Sequence, residues 1–347
     1  MGVIDSYADY LPVTENTPKL SLGEGGTPLV RSSFIGPQLG IPDLYFKLEG
    51  CNPTGSFKDR GMVLAVAKAI ENGYGKILCA STGNTSAAAA AYAASAGIES
   101  VVLVPRGDVS QGKLSQAIAY GAKVIVIDGR FDTALSIARE MVDTFNMCLV
   151  NSVNPYRLEG QKTASFEIVD EIGLSPDELF IPVGNAGNIT AYWKGFKEYD
   201  EKKQKGVPRM MGFEAAGAAP IVLGRTVESP DTIASAIRIG NPASWVSAEQ
   251  ARDESNGLID TVTDEQIIES WKKLARSEGI FCEPASAASL AGLLKLANNG
   301  MDFSGHRVVC VITGNGLKDP SFAAENAESK PLNVAANIDS VAAAFGI

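Results

Sequence analysis

The residues Asn52-Pro53-Thr54-Gly55-Ser56-Phe57-Lys58-Asp59-Arg60-Gly61 join a predicted strand, residues 43–49, to a predicted helix. Asn-Pro-Thr-Gly is typical of a tight turn, because proline fixes φ and glycine tolerates positive φ. Ser56 is expected to cap the helix, its side chain accepting a hydrogen bond from a backbone N–H. Lys58 then lies in the first helical turn, where the positive end of the helix dipole should lower the pKa of its amine.

Lys58 is therefore a candidate nucleophile. A neutral amine attacks carbonyl groups, whereas a protonated amine does not. The alternative is a surface lysine whose aliphatic chain packs on the protein while its charge stays in water. The local sequence alone favours that alternative, so other parts of the chain must distinguish the two.

The composition limits which partners the protein can bind. The chain has 347 residues, 45% of them hydrophobic, and a formal net charge of −10. This is typical of a globular α/β protein of one large or two modest domains. An acidic surface repels phosphate backbones and anionic lipids, so we expect no nucleic-acid or membrane binding.

Cysteine and histidine usage disfavours several kinds of site. The five cysteines are scattered without a CxxC pair, which argues against a zinc site and a disulfide framework. The single histidine, His306, disfavours histidine-based triads and metal sites. The sequence shows neither a signal-peptide pattern nor an uncharged apolar stretch of about 18 residues, so we expect a cytoplasmic protein without a metal.

Short β-branched runs alternate with amphipathic helical patterns from residue 43 onward. The predicted strands are residues 43–49, 76–81, 100–105, 123–128, 147–152, 178–183, 209–215 and 307–313. Predicted helices include residues 131–145, 159–172 and 264–277. The alternation indicates an α/β protein with parallel sheets covered on both faces, in which ligands bind beyond the carboxyl ends of the strands.

One strand-end loop, Ser81-Thr82-Gly83-Asn84-Thr85-Ser86, precedes an alanine-rich helix. Small hydroxyl residues and a glycine at a helix start form an anion site from backbone N–H groups. We interpret the loop as a carboxylate site, and a plain helix cap is the alternative.

A second loop, Asn151-Ser152-Val153-Asn154-Pro155-Tyr156-Arg157, follows the strand predicted at 147–152. Asparagine, serine and arginine at a strand end can hold a phosphate, to which the arginine offers a fork of donors. An ordinary turn with a surface arginine is an equally good interpretation of the local sequence.

A third loop, Gly184-Asn185-Ala186-Gly187-Asn188, lies between an apolar strand and a helix. Its two glycines allow close backbone approach and its asparagines add donors, which favours a phosphate-binding loop over a structural turn.

Two nucleotide-binding motifs can be rejected. Gly107-Asp108-Val109-Ser110-Gln111-Gly112-Lys113-Leu114 matches GxxxxGK, but Leu114 replaces the hydroxyl residue that would bind Mg²⁺. No intact GxGxxG follows a strand, which counts against a dinucleotide enzyme.

A potentially nucleophilic lysine, a phosphate loop and two further anion sites suggest pyridoxal phosphate chemistry. The chain resembles the threonine synthase family, part of the tryptophan synthase β-like, fold type II pyridoxal-phosphate enzymes. The resemblance covers about residues 20–320. Besides the 52–61 stretch and the loops at 81–85 and 184–188, it rests on Glu24-Gly25-Gly26-Thr27-Pro28-Leu29, Ile239-Gly240-Asn241-Pro242, Phe281-Cys282-Glu283-Pro284-Ala285-Ser286 and Ile312-Thr313-Gly314-Asn315-Gly316-Leu317-Lys318-Asp319.

The resemblance implies roles for particular residues. Lys58 matches the lysine that holds the cofactor aldehyde as a Schiff base. The implied cofactor-binding residues are Lys58, Asn84, which faces the 3′-oxygen, Gly184, Asn185, Ala186, Gly187 and Asn188, which hold the phosphate, and Thr313, which faces the pyridine nitrogen. The implied substrate-binding residues are Ser81, Thr82 and Thr85 for the carboxylate, and Asn151, Ser152 and Arg157, with Thr85 and Asn188, for the phosphate.

The implied reaction converts O-phospho-L-homoserine and water to L-threonine and phosphate, with Lys58 as general base. A pyridoxal-phosphate serine/threonine dehydratase is the alternative, although it needs no second phosphate pocket. The resemblance also implies two open, twisted, mostly parallel sheets covered by helices. It predicts a small domain at 46–149, a large domain formed by 1–45 and 150–347, the cofactor in the cleft between them, and a homodimer.

Overall fold

The computed structural model describes residues 2–106, 111–129, 131–329 and 331–347. Its strands are β1 Leu29–Arg31, β2 Asp43–Leu48, β3 Lys76–Ala80, β4 Glu99–Pro105, β5 Lys123–Ile127, β6 Cys148–Leu149, β7 Glu178–Pro182, β8 Arg209–Ala215, β9 Leu258–Val262 and β10 Arg307–Ile312. Its α-helices are α1 Val3–Ser6, α2 Ile35–Gln38, α3 Lys58–Glu71, α4 Asn84–Ala96, α5 Gln111–Ala119, α6 Phe131–Phe145, α7 Pro155–Gln161, α8 Thr163–Ile172, α9 Gly187–Lys203, α10 Pro220–Leu223, α11 Trp245–Glu254, α12 Asp264–Ser277, α13 Pro284–Asn298, α14 Pro320–Asn326 and α15 Ile338–Phe345. Short 3₁₀ helices lie at Ala8–Tyr10, Glu49–Cys51, Ser235–Ile237 and Gly316–Lys318.

The described part of the chain bears on two of the sequence predictions, membrane-spanning segments and the GxxxxGK motif. None of the described helices is both long and apolar enough to cross a membrane. The rejected GxxxxGK motif begins at residues 107–110, which lie outside the described part of the chain.

The strands form two sheets, which confirms the predicted α/β class. One sheet has the order β1-β2-β10-β7-β8-β9 and is parallel except for the antiparallel pair β1–β2. The other has the order β5-β4-β3-β6 and is parallel throughout. Because β2 pairs with β10 up to Leu48, the segment before the turn at residue 52 belongs to the larger sheet.

The larger sheet is covered on both faces, as a parallel sheet requires. On β10, Val308 and Cys310 belong to the core that includes α12 and α13. Val309 and Val311 alternate with them and belong to the core that includes α8 and α9. All four side chains are fully buried, which explains why the strand is an uninterrupted apolar run.

The smaller sheet is built in the same way. Ile77 and Cys79 of β3 pack in the core formed with α3 and α4. Leu78 and Ala80 pack instead with Ala134 and its neighbours on α6. Residues 87–91 and Ala93 of α4, all alanines, are buried, so this helix lies close to the sheet and to α3.

The strand predicted at residues 147–152 is shorter in the structure, where only Cys148–Leu149 forms β6. Val150 N–H still donates to the Leu78 carbonyl at 3.0 Å. Beyond it the Asn151 side chain replaces the backbone ladder, accepting from Ala80 N–H and donating to the Ala80 carbonyl, both at 2.9 Å. The Asn151 side chain therefore continues the hydrogen bonding to β3 beyond the end of β6.

Strands β1 and β9 were not predicted. β1 has three residues and pairs only with β2, as an antiparallel edge strand. β9 is the opposite edge, and Asp260 interrupts its apolar pattern. Both lack the long β-branched run by which the central strands can be recognised.

The helices predicted at 131–145 and 264–277 have the same bounds as α6 and α12. The helix predicted at 159–172 is wrong in its bounds, because the segment spans α7 and α8 with a break at Lys162. α7 begins earlier than predicted, since Asn154 accepts a hydrogen bond from Tyr156 N–H and Pro155 takes the first helical position.

Candidate active site

The loops singled out in the sequence all follow carboxyl ends of strands. These loops are residues 52–57 after β2, 81–83 after β3, 150–154 after β6, 183–186 after β7 and 313–315 after β10. In parallel sheets such ends share one edge, so the loops can converge on one cleft. Hydrogen bonds between them confirm that several do.

The turn that carries Lys58 is joined to the end of β10. Phe57 N–H donates to the Thr313 carbonyl at 3.0 Å, and Asn315 N–H donates to the Gly55 carbonyl at 2.9 Å. Gly55 has φ +86°, as the predicted turn requires. The N-cap residue of α3 is Phe57 rather than the predicted Ser56, although the Ser56 hydroxyl accepts a long, 3.4 Å hydrogen bond from Lys58 N–H, the first N–H of the helix.

Lys58 is the first residue of α3 and is partly buried, with its Nζ 4.4 Å from the centre of the Phe57 ring. Burial lowers the pKa of its amine to about 7; the charge of Arg157 lowers it further and Glu283 opposes both. The predicted direction is correct, but burial rather than the helix dipole is the largest cause. At neutral pH much of this amine is neutral and nucleophilic.

Arg157 lies beside Lys58 because helices α3 and α7 pack closely. A Cβ on Gly61 would lie 2.5 Å from the Arg157 carbonyl oxygen and 2.9 Å from its Nε. Gly61 follows Lys58 by three residues and so lies on the same face of α3.

The Arg157 guanidinium is 1% exposed and incompletely paired. Its Nη1 donates to the Val150 carbonyl at 2.9 Å, while Nε and Nη2 have no partner among the described residues. Burial lowers the pKa of Arg157 to about 10, so the group stays charged at neutral pH. A buried cation with unused donors is the environment in which a phosphate or carboxylate binds.

The loop at 184–188 forms the start of α9. Ala186 has φ +62° and precedes the first helical residue, Gly187, so the first N–H groups of the helix have no partner within it. A Cβ on Gly184 would lie 2.8 Å from the Ile237 Cα. Asn188 is buried, and neither polar atom of its amide has a partner among the described residues. Such a loop fits a phosphate.

Hydrogen bonds connect this loop to the one that leads to Arg157. The Asn185 amide donates to the Ser152 hydroxyl, and its oxygen accepts from Ala243 N–H at 2.7 Å. Both polar atoms of Asn151 are already bonded to Ala80. Asn151 and Asn185 therefore fix the positions of the loops, and their side chains have few donors left for a ligand.

The loop after β3 has an uncapped helix start. Helix α4 begins at Asn84 with Gly83 before it, and no side chain caps it. Ser81 accepts a hydrogen bond from Gly83 N–H at 3.2 Å, and Ser81, Thr82 and Thr85 are partly exposed. The structure does not show the plain helix cap that was the alternative, and the N–H groups of the first turn remain available for an anion.

A polar cluster joins Asn84 to Thr313 through Glu283, for which the sequence predicts no role in the site. Asn84 Nδ2 lies 3.2 and 3.0 Å from the two carboxylate oxygens of Glu283. The Thr313 and Ser286 hydroxyls are 2.8 Å apart, and Ser286 accepts from Gly314 N–H at 2.9 Å. In the sequence Glu283 is followed by Pro284, a pair that is typical of a helix start. This pattern predicts a helix start and gives no indication that Glu283 contacts Asn84.

Lys318 is a second lysine near this cluster that was not predicted. Its Nζ donates to Gln116 of α5, and its aliphatic chain passes 3.2 Å from where a Cβ on Gly55 would be. Burial lowers the pKa of Lys318, and nearby Glu283 and Asp59 oppose that shift. The contact links α5, beside the smaller sheet, to the end of β10.

The sequence matches one family model and close relatives. The model described as pyridoxal-phosphate dependent enzyme matches residues 20–314. A threonine synthase of Halalkalibacterium halodurans is 59% identical over 95% of this chain and 93% of that relative. Threonine synthases of Bacillus sp. (strain ULM1) and Methanocaldococcus jannaschii are 56% and 50% identical, over 98% and 94% of this chain and 96% and 83% of those relatives.

Solved structures share the fold at low sequence identity. Maize serine racemase has a TM-score of 0.74 and 22% identity, over 85% of this chain and 90% of that one. A processed threonine deaminase from Solanum lycopersicum has a TM-score of 0.74 and 20% identity, over 87% of this chain and 83% of that one. At such identity the likeness shows the fold alone.

Proposed function

The chain belongs to the family of pyridoxal-phosphate dependent enzymes, and we infer that it catalyses the threonine synthase reaction. It converts O-phospho-L-homoserine and water to L-threonine and phosphate. The observation that carries this conclusion is the 50–59% identity to threonine synthases over nearly the whole chain. The buried guanidinium of Arg157, whose Nε and Nη2 have no partner among the described residues, supports it, since the reaction needs a pocket for the substrate phosphate.

The residues of the cleft fit the cofactor. The first N–H groups of α9, which have no partner within the helix, and the Asn188 amide, which has none among the described residues, suit its phosphate, and Lys58 suits its aldehyde. We assign cofactor binding to Lys58, Asn84, Gly184, Asn185, Ala186, Gly187, Asn188 and Thr313. When bound, pyridoxal phosphate supplies an electron sink that stabilises negative charge on the substrate carbons.

Lys58 is the residue that we assign to proton transfer. A pKa of about 7 lets Nζ accept a proton as a general base and return it as a general acid near neutral pH. Nζ takes the proton from the substrate α carbon and passes it to an oxygen of the leaving phosphate. It then takes a proton from the β carbon as phosphate leaves the γ carbon, and gives that proton to the γ carbon to complete the methyl group. Water adds its hydroxyl at the β carbon and its proton to Nζ, which returns that proton to the α carbon.

The two anionic ends of the substrate have separate sites in this proposal. The start of α4, with Ser81, Thr82 and Thr85, holds the carboxylate. Arg157 holds the phosphate through Nε and Nη2, assisted by Asn188 and Thr85. Asn151 and Ser152 contribute by holding the loop in place, because their side chains are bonded to Ala80 and Asn185.

The competing function is the deamination of threonine or serine. Those substrates carry no phosphate, so they would leave the charge of Arg157 unpaired in the cleft. The test compares phosphate release from O-phospho-L-homoserine with ammonia release from L-threonine, using the same purified enzyme. We expect phosphate release to be faster, and faster deamination would contradict the assigned function.

Further parts of the proposal concern organisation. We place a small domain at residues 46–149 and a large domain at 1–45 plus 150–347, with the cofactor between them, except that the end of β2, up to Leu48, pairs with β10 in the larger sheet. The protein acts as a homodimer in the cytoplasm. Light scattering combined with gel filtration measures the subunit count directly.

A further inference from the structure

Glu283 is a buried carboxylate whose position has no evident structural purpose. It precedes α13 as the N-cap residue, yet its side chain makes no capping hydrogen bond. The carboxylate instead turns toward the end of β10, where a Cβ on Gly314 would collide with it. Only a glycine at position 314 leaves room for this orientation.

The burial of Glu283 is costly, and the charges of Lys318 and Lys58 offset it only in part. The residue is 5% exposed, and no lysine or arginine among the described residues forms a salt bridge with it. Its carboxylate accepts from Asn84 Nδ2 at 3.2 and 3.0 Å and from the Thr313 hydroxyl at 3.4 Å. Burial raises the pKa of Glu283. A charge in such a place usually has a specific task.

The contact with Glu283 fixes which way the Asn84 amide faces. The two N–H bonds of the Asn84 amide point too far apart for each to reach one oxygen of the Glu283 carboxylate. A single N–H of Asn84 is therefore shared between the two oxygens of Glu283. The second N–H of Asn84 has no hydrogen-bond partner among the described residues. Without Glu283 the amide can turn over, and its carbonyl oxygen would replace the free N–H.

We propose that Glu283 is a positioning residue for the cofactor, which holds the Asn84 amide so that its free N–H donates to the 3′-oxygen. This inference rests on the proposed function, because it takes Asn84 as the partner of that oxygen. An inverted amide would set its own oxygen against the negatively charged 3′-oxygen. Glu283 excludes that orientation because it accepts only from an N–H.

The test is a double-mutant cycle read by cofactor binding. The variants are Asn84→Ala, Glu283→Leu, Glu283→Gln and the double variant Asn84→Ala/Glu283→Leu, each titrated with pyridoxal phosphate as the full chain. We expect Glu283→Leu to weaken cofactor binding about tenfold, as the loss of one charged hydrogen bond does. The loss should be absent in the Asn84→Ala background, since residues acting through one contact are not additive. The absorbance maximum of the bound cofactor should shift alike in Asn84→Ala and Glu283→Leu.

Glu214 provides the matched control. It is fully buried and burial raises its pKa to about 7. Within the described part of the chain it accepts hydrogen bonds only from the backbone N–H groups of Ile221 and Val222. Glu214→Leu and Glu214→Gln should lower stability without shifting the absorbance maximum. If Glu283→Leu does not fold, Glu283→Gln takes its place, because the glutamine amide can turn either its oxygen or its nitrogen toward Asn84. We expect Glu283→Gln to weaken cofactor binding less than Glu283→Leu, and this loss should also be absent in the Asn84→Ala background.

Three results would overturn the inference. If the losses from Asn84→Ala and Glu283→Leu multiply in the double variant, or Glu283→Leu binds cofactor normally, then Glu283 does not act through Asn84. If Asn84→Ala binds cofactor normally, the assignment of Asn84 fails and the inference fails with it. Phosphate release by the unmodified enzyme tests the proposed function separately, so the two failures can be told apart.

Discussion

Gly61 and Arg157 touch through backbone atoms: a Cβ on Gly61 would lie only 2.5 Å from the Arg157 carbonyl oxygen. Gly160 meets the Arg60 carbonyl in the same way from the opposite helix. This crossing of α3 and α7, where glycine backbone lies at the closest approach, places the Lys58 amine and the Arg157 guanidinium in one cleft.

Gly61→Ala should therefore separate the two helices. We expect a loss of about 1–3 kcal/mol in the free energy of unfolding, as overpacking typically costs, and a higher KM for phosphohomoserine because Arg157 moves. Urea unfolding and steady-state kinetics measure both. Gly75→Ala is the control, since a Cβ there meets nothing within 4 Å. Unchanged kinetics for Gly61→Ala would contradict the positioning role of this crossing.

Lys58→Ala should abolish turnover while the fold is retained. Removing a general base typically costs a factor of about 10²–10⁴, and the loss of cofactor attachment adds to it. Phosphate release measures the activity, and circular dichroism measures the fold. Lys68→Ala, which removes a lysine paired with Glu71 on the same helix, should retain turnover. Substantial activity in Lys58→Ala would refute the assignment.

Much of the site could be predicted because each loop is a local pattern. The turn before Lys58 and the loop at 184–188 each contain a strand end, glycines and a helix start within a few residues. The structure confirms those elements and the lowered pKa of Lys58. The residue-level roles in binding remain predictions.

The remaining features depend on contacts between segments far apart in the chain. Judged from its neighbours in the sequence, Arg157 could be an ordinary surface arginine. It is buried because Gly61 and Gly160 allow helices α3 and α7 to pack closely. Glu283 has the sequence signature of a helix cap, and it faces the cleft only because Gly314 leaves space. Edge strands β1 and β9 carry too few apolar residues for their periodicity to be detected.

The lowered pKa of Lys58 predicts a pH dependence of stability in the chain without cofactor. Folded Lys58 has a pKa of about 7, whereas the ordinary value is 10.5. Between these values the unfolded chain binds more protons, so the contribution of Lys58 to stability rises with pH from about 7 to 10.5. Urea unfolding of the wild type and Lys58→Met at several pH values should show a difference that grows in favour of the wild type. A pH-independent difference would contradict the pKa.

Replacing Arg157 should impair substrate binding without lowering the stability of the fold. Arg157→Met removes a charged donor from the proposed phosphate site, so we expect KM for phosphohomoserine to rise about 10–100-fold while the cofactor stays bound. The same change removes a buried, incompletely paired cation, and replacing such a group by an apolar one is often neutral or stabilising. Thermal unfolding without substrate should thus show no loss. Loss of cofactor absorbance would instead place Arg157 in the cofactor site.

A buried ionic network beside the start of α3 supports the last prediction. Arg60 pairs with Glu49 at 2.7 Å and with Glu167 at 2.6 Å, and Lys47 pairs with Glu167 at 2.8 Å. Although burial opposes it, the charges of Arg60 and Lys47 lower the pKa of Glu167 to about 2. Two cations and two carboxylates balance, so the network carries no net charge.

Arg60→Met should cost about 3–5 kcal/mol in the free energy of unfolding, because it leaves a carboxylate buried without its partner. The double variant Arg60→Met/Glu49→Gln restores the charge balance and should cost less than the sum of the two single changes. Urea unfolding at pH 7 measures all four proteins of the cycle. Additive losses would show that the pair is not coupled, and the network would then owe its contribution to packing rather than to charge.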